Sequence, residues 1–209
     1  MRAARWLLTL AVVGAAAWLF PPFHVVPLKT AAAADLAAAF DPARFAATFW
    51  TNRLLPALPQ TVKAETLLPA IQADPAAART RYARGTGLGG SYFYFLSGTG
   101  RVAAVSEDEV LLVVTSGTNA EVSLPAGLIF GNALRDGTGL LNASDYPNSQ
   151  DFNGLAEALN HLAETQAVPP LRACARPGAK IFFAGCAEVA DESTDLKPLK
   201  VIPVAIAEK

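Results

Sequence analysis

Residues 91–105 read SYFYFLSGTGRVAAV, and the reading of this stretch decides the fold. It is rich in aromatic and β-branched residues, which predicts a β-strand. Gly98 and Gly100 break the strand where it would bend around a small barrel. Alternation along a strand sends Tyr92 and Tyr94 to one face and Phe93 and Phe95 to the other, so at least one of these pairs belongs to a barrel core.

Downstream, Ser106, Glu107 and Asp108 punctuate the chain before EVLLVVT, and residues 116–119 (SGTN) turn it into AEVSLPA. A mixed stretch, GLIFGNALRDGTGLLNASDYPN, leads to a helix predicted from about Ser149, with Phe152, Leu155, Leu159 and Leu162 on one face. Two more strands follow, AKIFFAGCAEV and LKVIPVAIA, joined by the acidic loop ADESTD. Gly185 suggests a bulge, and Pro203 confines its strand to an edge or a non-bonding position. Three strands, a helix and two strands describe an α+β chain with an OB-like five-stranded β-barrel and one helix between strands 3 and 4. A generic α+β sandwich is the competing architecture.

Upstream, residues 85–90 (GTGLGG) match G-x-G-x-x-G through Gly85, Gly87 and Gly90. A dinucleotide fingerprint needs a strand entering and a helix leaving, so that the helix N-terminus faces the pyrophosphate. Here a helix enters and a strand leaves. Gly85 is therefore expected as a helix cap and the other glycines as a hinge. Asp41-Pro42 and Asp74-Pro75 each offer an N-cap followed by proline at the first helical position. Phe45, Phe49, Trp50 and Leu54 share a face before Pro56 interrupts. The expected organisation is a signal-anchor and linker over 1–28, a helical annex over 29–84 and the barrel over 85–209.

The N-terminus sets the compartment. Arg2 and Arg5 precede an apolar run, and no charge occurs from Trp6 to Phe23, about the shortest stretch that spans a bilayer. The nearest small-x-small site, at residues 31–33, lies far past the run. An uncleaved inner-membrane anchor over residues 6–23 is preferred, with a cleaved signal and a soluble periplasmic protein as the alternative. The positive-inside bias places the bulk of the chain in the periplasm of a bacterium. The 209-residue chain has a formal net charge of −1, which gives no field for collecting nucleic acid.

Chemistry is sparse. Two histidines cannot make a three-histidine zinc site, and no G-x-S-x-G, H-E-x-x-H or P-loop occurs. No catalytic residue, metal or cofactor is assigned. Glu107, Asp108 and Glu109 read as a turn, and Asp191, Glu192 and Asp195 as a solvated loop. An oxidising compartment would let Cys174 and Cys186 pair, although a tight hairpin at residues 176–179 would not bring them into register. The densest polar segment, residues 132–153, holds the candidate ligand-binding residues Arg135, Asp136, Asn148, Gln150 and Asp151. An arginine beside amides and carboxylates can hold a hydroxyl-rich ligand through bidentate hydrogen bonds. Asn148 or Ser149 capping the helix, with Asp151 in its first turn, is the purely structural alternative.

PPFHVVPL, FDPARFAATFWTNRLLPAL, GTGLGGSYFYFLSGTGRVAAV, GNALRDGTGLLN and NSQDFNGLAEALN, in this order, resemble the DUF2291 family of predicted periplasmic lipoproteins. The resemblance implies an accessory part in sugar ABC-type uptake and carries no catalytic residues. The N-terminal region contains no cysteine to lipidate, so a protein anchor would replace the lipid. The expected function is a non-enzymatic periplasmic binding or scaffolding module for a small polar ligand or an uptake system. A periplasmic carbohydrate or cell-wall hydrolase using paired carboxylates is the alternative.

Overall fold

A computed structural model of the chain describes residues 40–85, 90–146 and 148–209. The expected anchor, the annex residues before Phe40 and the hinge residues 86–89 lie outside them. Five strands carry the architecture: β1 (Tyr92–Val105), β2 (Glu109–Val113), β3 (Val122–Pro125), β4 (Lys180–Val189) and β5 (Leu199–Glu208). They are ordered β1-β2-β3-β5-β4, and β4 pairs back onto β1. This closes an OB-like barrel, as the strand pattern predicts.

β1 serves both sides of the closure. Tyr92 through Arg101 pair with β4, while Arg101 through Val105 pair with β2. Barrel closure bends the strand, and its two glycines let neighbours approach closely. A Cβ on Gly98 would stand 2.6 Å from the Ala64 Cβ, and one on Gly100 would stand 2.9 Å from the Leu112 Cβ.

Alternation along β1 feeds two cores. Tyr92, Tyr94 and Leu96 pack with Leu112, Leu124, Phe183 and Val201 in one cluster. Phe93 and Phe95 pack with Phe49, Trp50, Leu155, Leu159 and Ile202 in a second. All four aromatics are buried, and the Phe93 and Phe95 side chains so removed from water contribute roughly 1.5–3 kcal/mol each.

The helices covering the second cluster start as the sequence predicts. Asp41 caps α1 (Pro42–Phe49) by accepting from the Arg44 amide at 3.0 Å, and Asn148 caps α5 (Ser149–Gln166) by accepting from the Asp151 amide at 2.8 Å. Between them lie α2 (Ala64–Ala73), α3 (Pro75–Tyr82) and α4 (Ala133–Asp136), and Asp74 caps α3 in the same way as Asp41 caps α1.

Several local expectations are corrected. Pro56 does not end the first helix, because a π-helical turn (Trp50–Leu54) shifts the hydrogen-bond ladder and the helix resumes over Leu55–Ala57. Gly85 caps no helix. The Ala83 amide bonds the Arg79 carbonyl at the end of α3, and Arg84 and Gly85 then pair with Phe93 and Tyr92 as a short strand. The left-handed backbone falls instead at Gly90, φ +81°. Residues 176–179 form no hairpin between strands. They connect β4 to a further helix, α6 (Val168–Cys174), which the sequence reading missed behind Pro169 and Pro170.

Cys174 and Cys186 are both free and buried, in different hydrophobic clusters, so the allowed disulfide is not formed. Cys174 ends α6 and Cys186 points off β4, on the face opposite the strand's inner residues. Burial pushes both thiols up from their ordinary pKa, which leaves them unreactive. Titration with a thiol reagent is expected to find no accessible thiol in the native protein and two after denaturation.

The bulge at Gly185 occurs as expected, with Gly185 opposite Pro203. Pro203 lies beyond Leu199 and Lys200, where β5 pairs with β3, so its missing N–H costs that pairing nothing. A Cβ on Gly185 would stand 2.0 Å from the Ile202 carbonyl oxygen. Gly185→Ala should therefore destabilise the fold by about 1–3 kcal/mol, read as a lower urea midpoint with an unchanged slope.

Candidate functional site

Between β3 and α4 the chain leaves the sheet, and its backbone needs other partners. Helical side chains supply them. Arg172 donates to the Ala126 carbonyl at 2.7 Å, Glu164 accepts from the Ile129 amide at 2.7 Å, and Asn160 donates to the Gly131 carbonyl at 2.9 Å. This accounts for Asn160, a buried polar residue on the apolar side of α5. Gly131, at φ +98°, turns the chain toward α4. The segment so held buries Ile129 and leaves Leu128 and Phe130 in solvent.

Phe130 forms one rim of a groove of about 540 Å³ on the outer side of the barrel. Glu109 and Ser123 come from β2 and β3, Lys200 and Ile202 from β5, and Glu188 from β4. The β4–β5 loop closes it with Thr194, Asp195 and Pro198. The Ser123 hydroxyl donates to Glu109. A basic group, three carboxylates, two hydroxyls and an aromatic rim thus converge on one concavity.

The loop over this groove is solvated, as read from the sequence, and it is also tied down by its own side chains. Asp195 accepts from the Ala190 and Asp191 amides, each at 2.9 Å, and Asp191 accepts from the Ser193 amide and hydroxyl at 2.8 and 2.6 Å. The Ser193 hydroxyl and amide hold the Asp191 carboxyl below its ordinary range, and the Asp191 and Ala190 amides do the same for Asp195. Glu192 accepts from the Tyr92 hydroxyl at 3.0 Å and lies 3.7 Å from Arg79, whose guanidinium stacks 4.8 Å from the Tyr92 ring. Burial, and then Glu192, push the Tyr92 phenol well above its usual range. Nothing in the sequence pattern signalled this clasp, because its partners lie 100 residues apart.

The residues singled out from sequence separate into two places. Arg135 and Asp136 line a second groove of about 500 Å³ with Arg84, Asn132, Asn142 and Phe152, and Glu188 borders both grooves. Arg135 is buried, and each of its three guanidinium nitrogens has a partner within the molecule. It donates to both Asp136 oxygens at 2.7 and 2.9 Å, to the Phe152 carbonyl at 3.3 Å and to the Asn153 side chain at 3.0 Å, with its guanidinium 4.0 Å from the Phe152 ring. Asn148 and Asp151 engage each other at the exposed start of α5, with Gln150 exposed beside them. These three do not join Arg135. Glu109, Ser123, Glu188 and Lys200 were missed; their signal is a polar residue within an apolar strand, and it becomes readable only once the register is known.

Among the described residues, no three His, Cys, Asp or Glu side chains gather to hold a metal, and no helix is long and apolar enough to cross a membrane. His161 is exposed, 3.6 Å from Glu164.

Comparison with known proteins follows the same lines. The model of a family described as predicted periplasmic lipoprotein (DUF2291) matches residues 11–207. No curated protein matches. The crystal structure of an OB-fold protein from Thermotoga maritima is similar at a TM-score of 0.71 and 21% identity, covering 82% of this chain and 99% of that one. At this identity the likeness concerns the fold.

Two outcomes follow from the geometry. Arg135→Ala leaves the poorly exposed Asp136 carboxylate without its partner, and should cost about 3 kcal/mol in chemical denaturation. The folded pKa values of Asp191 and Asp195 are depressed, so their stabilisation of the loop is present above the unfolded carboxylate value and lost as pH falls through the folded ones. The amide resonances of Ala190, Asp191 and Ser193 should therefore stay fixed at neutral pH and move together below about pH 4.

Proposed function

The chain belongs to the DUF2291 family of predicted periplasmic lipoproteins, and we propose that it works there as a binding module that does no chemistry of its own. The observation that carries this reading is the groove on the β2–β3–β5 side of the barrel. OB-folds use the face of strands 2 and 3 and the adjoining loops to bind extended or hydroxyl-rich ligands. Here that face offers carboxylates and the Ser123 oxygen to accept from hydroxyls, Lys200 to donate, and the Phe130 ring as an apolar edge. Its volume suits a small polar ligand.

The association with sugar uptake that the family resemblance implies makes saccharides the first ligands to try. In this reading residues 6–23 hold the module at the inner membrane as a single span and present it in the periplasm, in the position a lipid would otherwise occupy.

Hydrolysis by paired carboxylates finds no support in the electrostatics. A general acid for glycoside cleavage needs a carboxyl pKa that is raised. Asp191 and Asp195 are held down. At Glu121 burial acts upward, but hydrogen bonds from the Thr115 hydroxyl and from the Thr115 and Val114 amides outweigh it, and the net shift is also downward.

Thermal denaturation with a panel of mono- and disaccharides tests the proposal. A saturable rise in Tm is expected for at least one sugar, lost in Lys200→Ala and Glu109→Gln and kept in Gln150→Ala. No saturable shift with any sugar removes the saccharide reading. Steady turnover of a glycoside by the purified protein, abolished by one carboxylate substitution, removes the non-catalytic one.

A further inference from the structure

Leu128 and Phe130 are 75% and 77% exposed, the most exposed large apolar side chains among the described residues. They do not belong to a loose loop. Ile129 between them is buried, and the backbone on either side is held by Arg172, Glu164 and Asn160. A segment fixed in this way displays two apolar side chains in one geometry, so a partner that meets them has little ordering cost to meet.

The surroundings say what that partner carries. On one side of Phe130 lie Glu109, Glu188 and Asp195, with Lys200 the basic group among them. On the other side a groove of about 490 Å³ along α5 holds Glu157 and Glu164 with His161, whose imidazole sits 3.6 Å from Glu164. Five carboxylates therefore line the two grooves beside Phe130 against one lysine and one histidine, with Arg172 the further cation near Leu128 through its bond to the Ala126 carbonyl. A second copy of the chain would bring the same carboxylates face to face, and an anionic membrane surface would be repelled for the same reason.

We propose that the ridge of Leu128 and Phe130 is the docking surface for a basic, apolar segment of a partner protein. The partner's apolar side chains seat on the ridge, and its Lys or Arg residues reach into the acidic grooves on either side. This surface extends beyond the saccharide groove, because Leu128 and the α5 groove take no part in that reading.

The test places the photo-crosslinking residue p-benzoylphenylalanine at position 128 of the full chain in the native host's envelope, with position 81 as an exposed control. The melting temperature of the position-128 protein should match that of the wild type, since the site is open. The expected product is a crosslink specific to position 128 into a peptide with more Lys and Arg than Asp and Glu and with interspersed apolar residues. That peptide, synthesised and labelled, should bind the purified protein in fluorescence anisotropy. Phe130→Ser should weaken binding at least tenfold, as should Glu157→Gln combined with Glu188→Gln, and so should raising the salt. A crosslink to a second copy, to lipid or to a neutral or acidic peptide overturns the proposal, as does no crosslink above the control. Lys200→Ala separates the two readings: it should abolish sugar-dependent stabilisation, while peptide binding is kept or strengthened because the one cation is removed from the acidic groove.

Discussion

The pairing of β1 with β4 along one half and with β2 along the other is the constraint from which the rest of the molecule follows. Closing the barrel bends this strand, and the absence of side chains at Gly98 and Gly100 leaves room for the close approach of Ala64 and Leu112. Once bent, the strand closes the barrel and removes the open edges that a flat sheet would expose. Its alternating aromatics then serve both sides of the wall. Two tyrosines fill one cluster, and two phenylalanines give α1 and α5 an apolar surface to cover. The helices are thereby bound to the barrel through the same strand that closes it.

The candidate site is a by-product of leaving that closed sheet. After β3 the chain crosses to α4 without strand partners, and buried or half-buried backbone groups would be left unsatisfied. Asn160, Glu164 and Arg172 meet this need from the helices. The result is a rigid crossing that stands off the barrel wall, with grooves on both sides of Phe130. On the far rim, the β4–β5 loop is fixed by its own aspartates and by the Glu192 clasp to Tyr92 and Arg79. Two polar networks, distant in sequence, therefore shape one binding face.

Arg135 shows how residue type and role separate. An arginine beside aspartate and asparagine has the chemistry of a ligand clamp, and the same chemistry can be spent internally. In this fold α4 is one turn long and delivers the guanidinium onto Phe152, Asn153 and Asp136. Lys200 and Glu188 sit in strands and carry their functional groups into a concavity. The difference lies in which groups find partners inside the molecule.

Local rules were sufficient for much of the architecture. The Asp-Pro starts of α1 and α3, the start of α5 at Asn148 or Ser149, the glycine-broken first strand, the bulge at Gly185 and the order of the five strands around α5 are all written in neighbouring residues; α4 and α6, which make three helices where one was expected between strands 3 and 4, are not. Each feature so written depends on backbone geometry or on periodicity within a few positions. The same rules missed the π turn that carries the helix past Pro56, the strand role of Arg84 and Gly85, and α6, because there the hydrogen-bond partners decide and propensity does not. Family membership too is carried by the sequence, through motifs spread along nearly the whole chain. Only the tertiary structure decided that the cysteines lie in separate clusters, that Arg135 is consumed by its neighbours and that Glu109, Ser123, Glu188 and Lys200 share a face. Those facts depend on barrel register and helix docking, and these bring together residues whose separation along the chain holds no trace of their proximity.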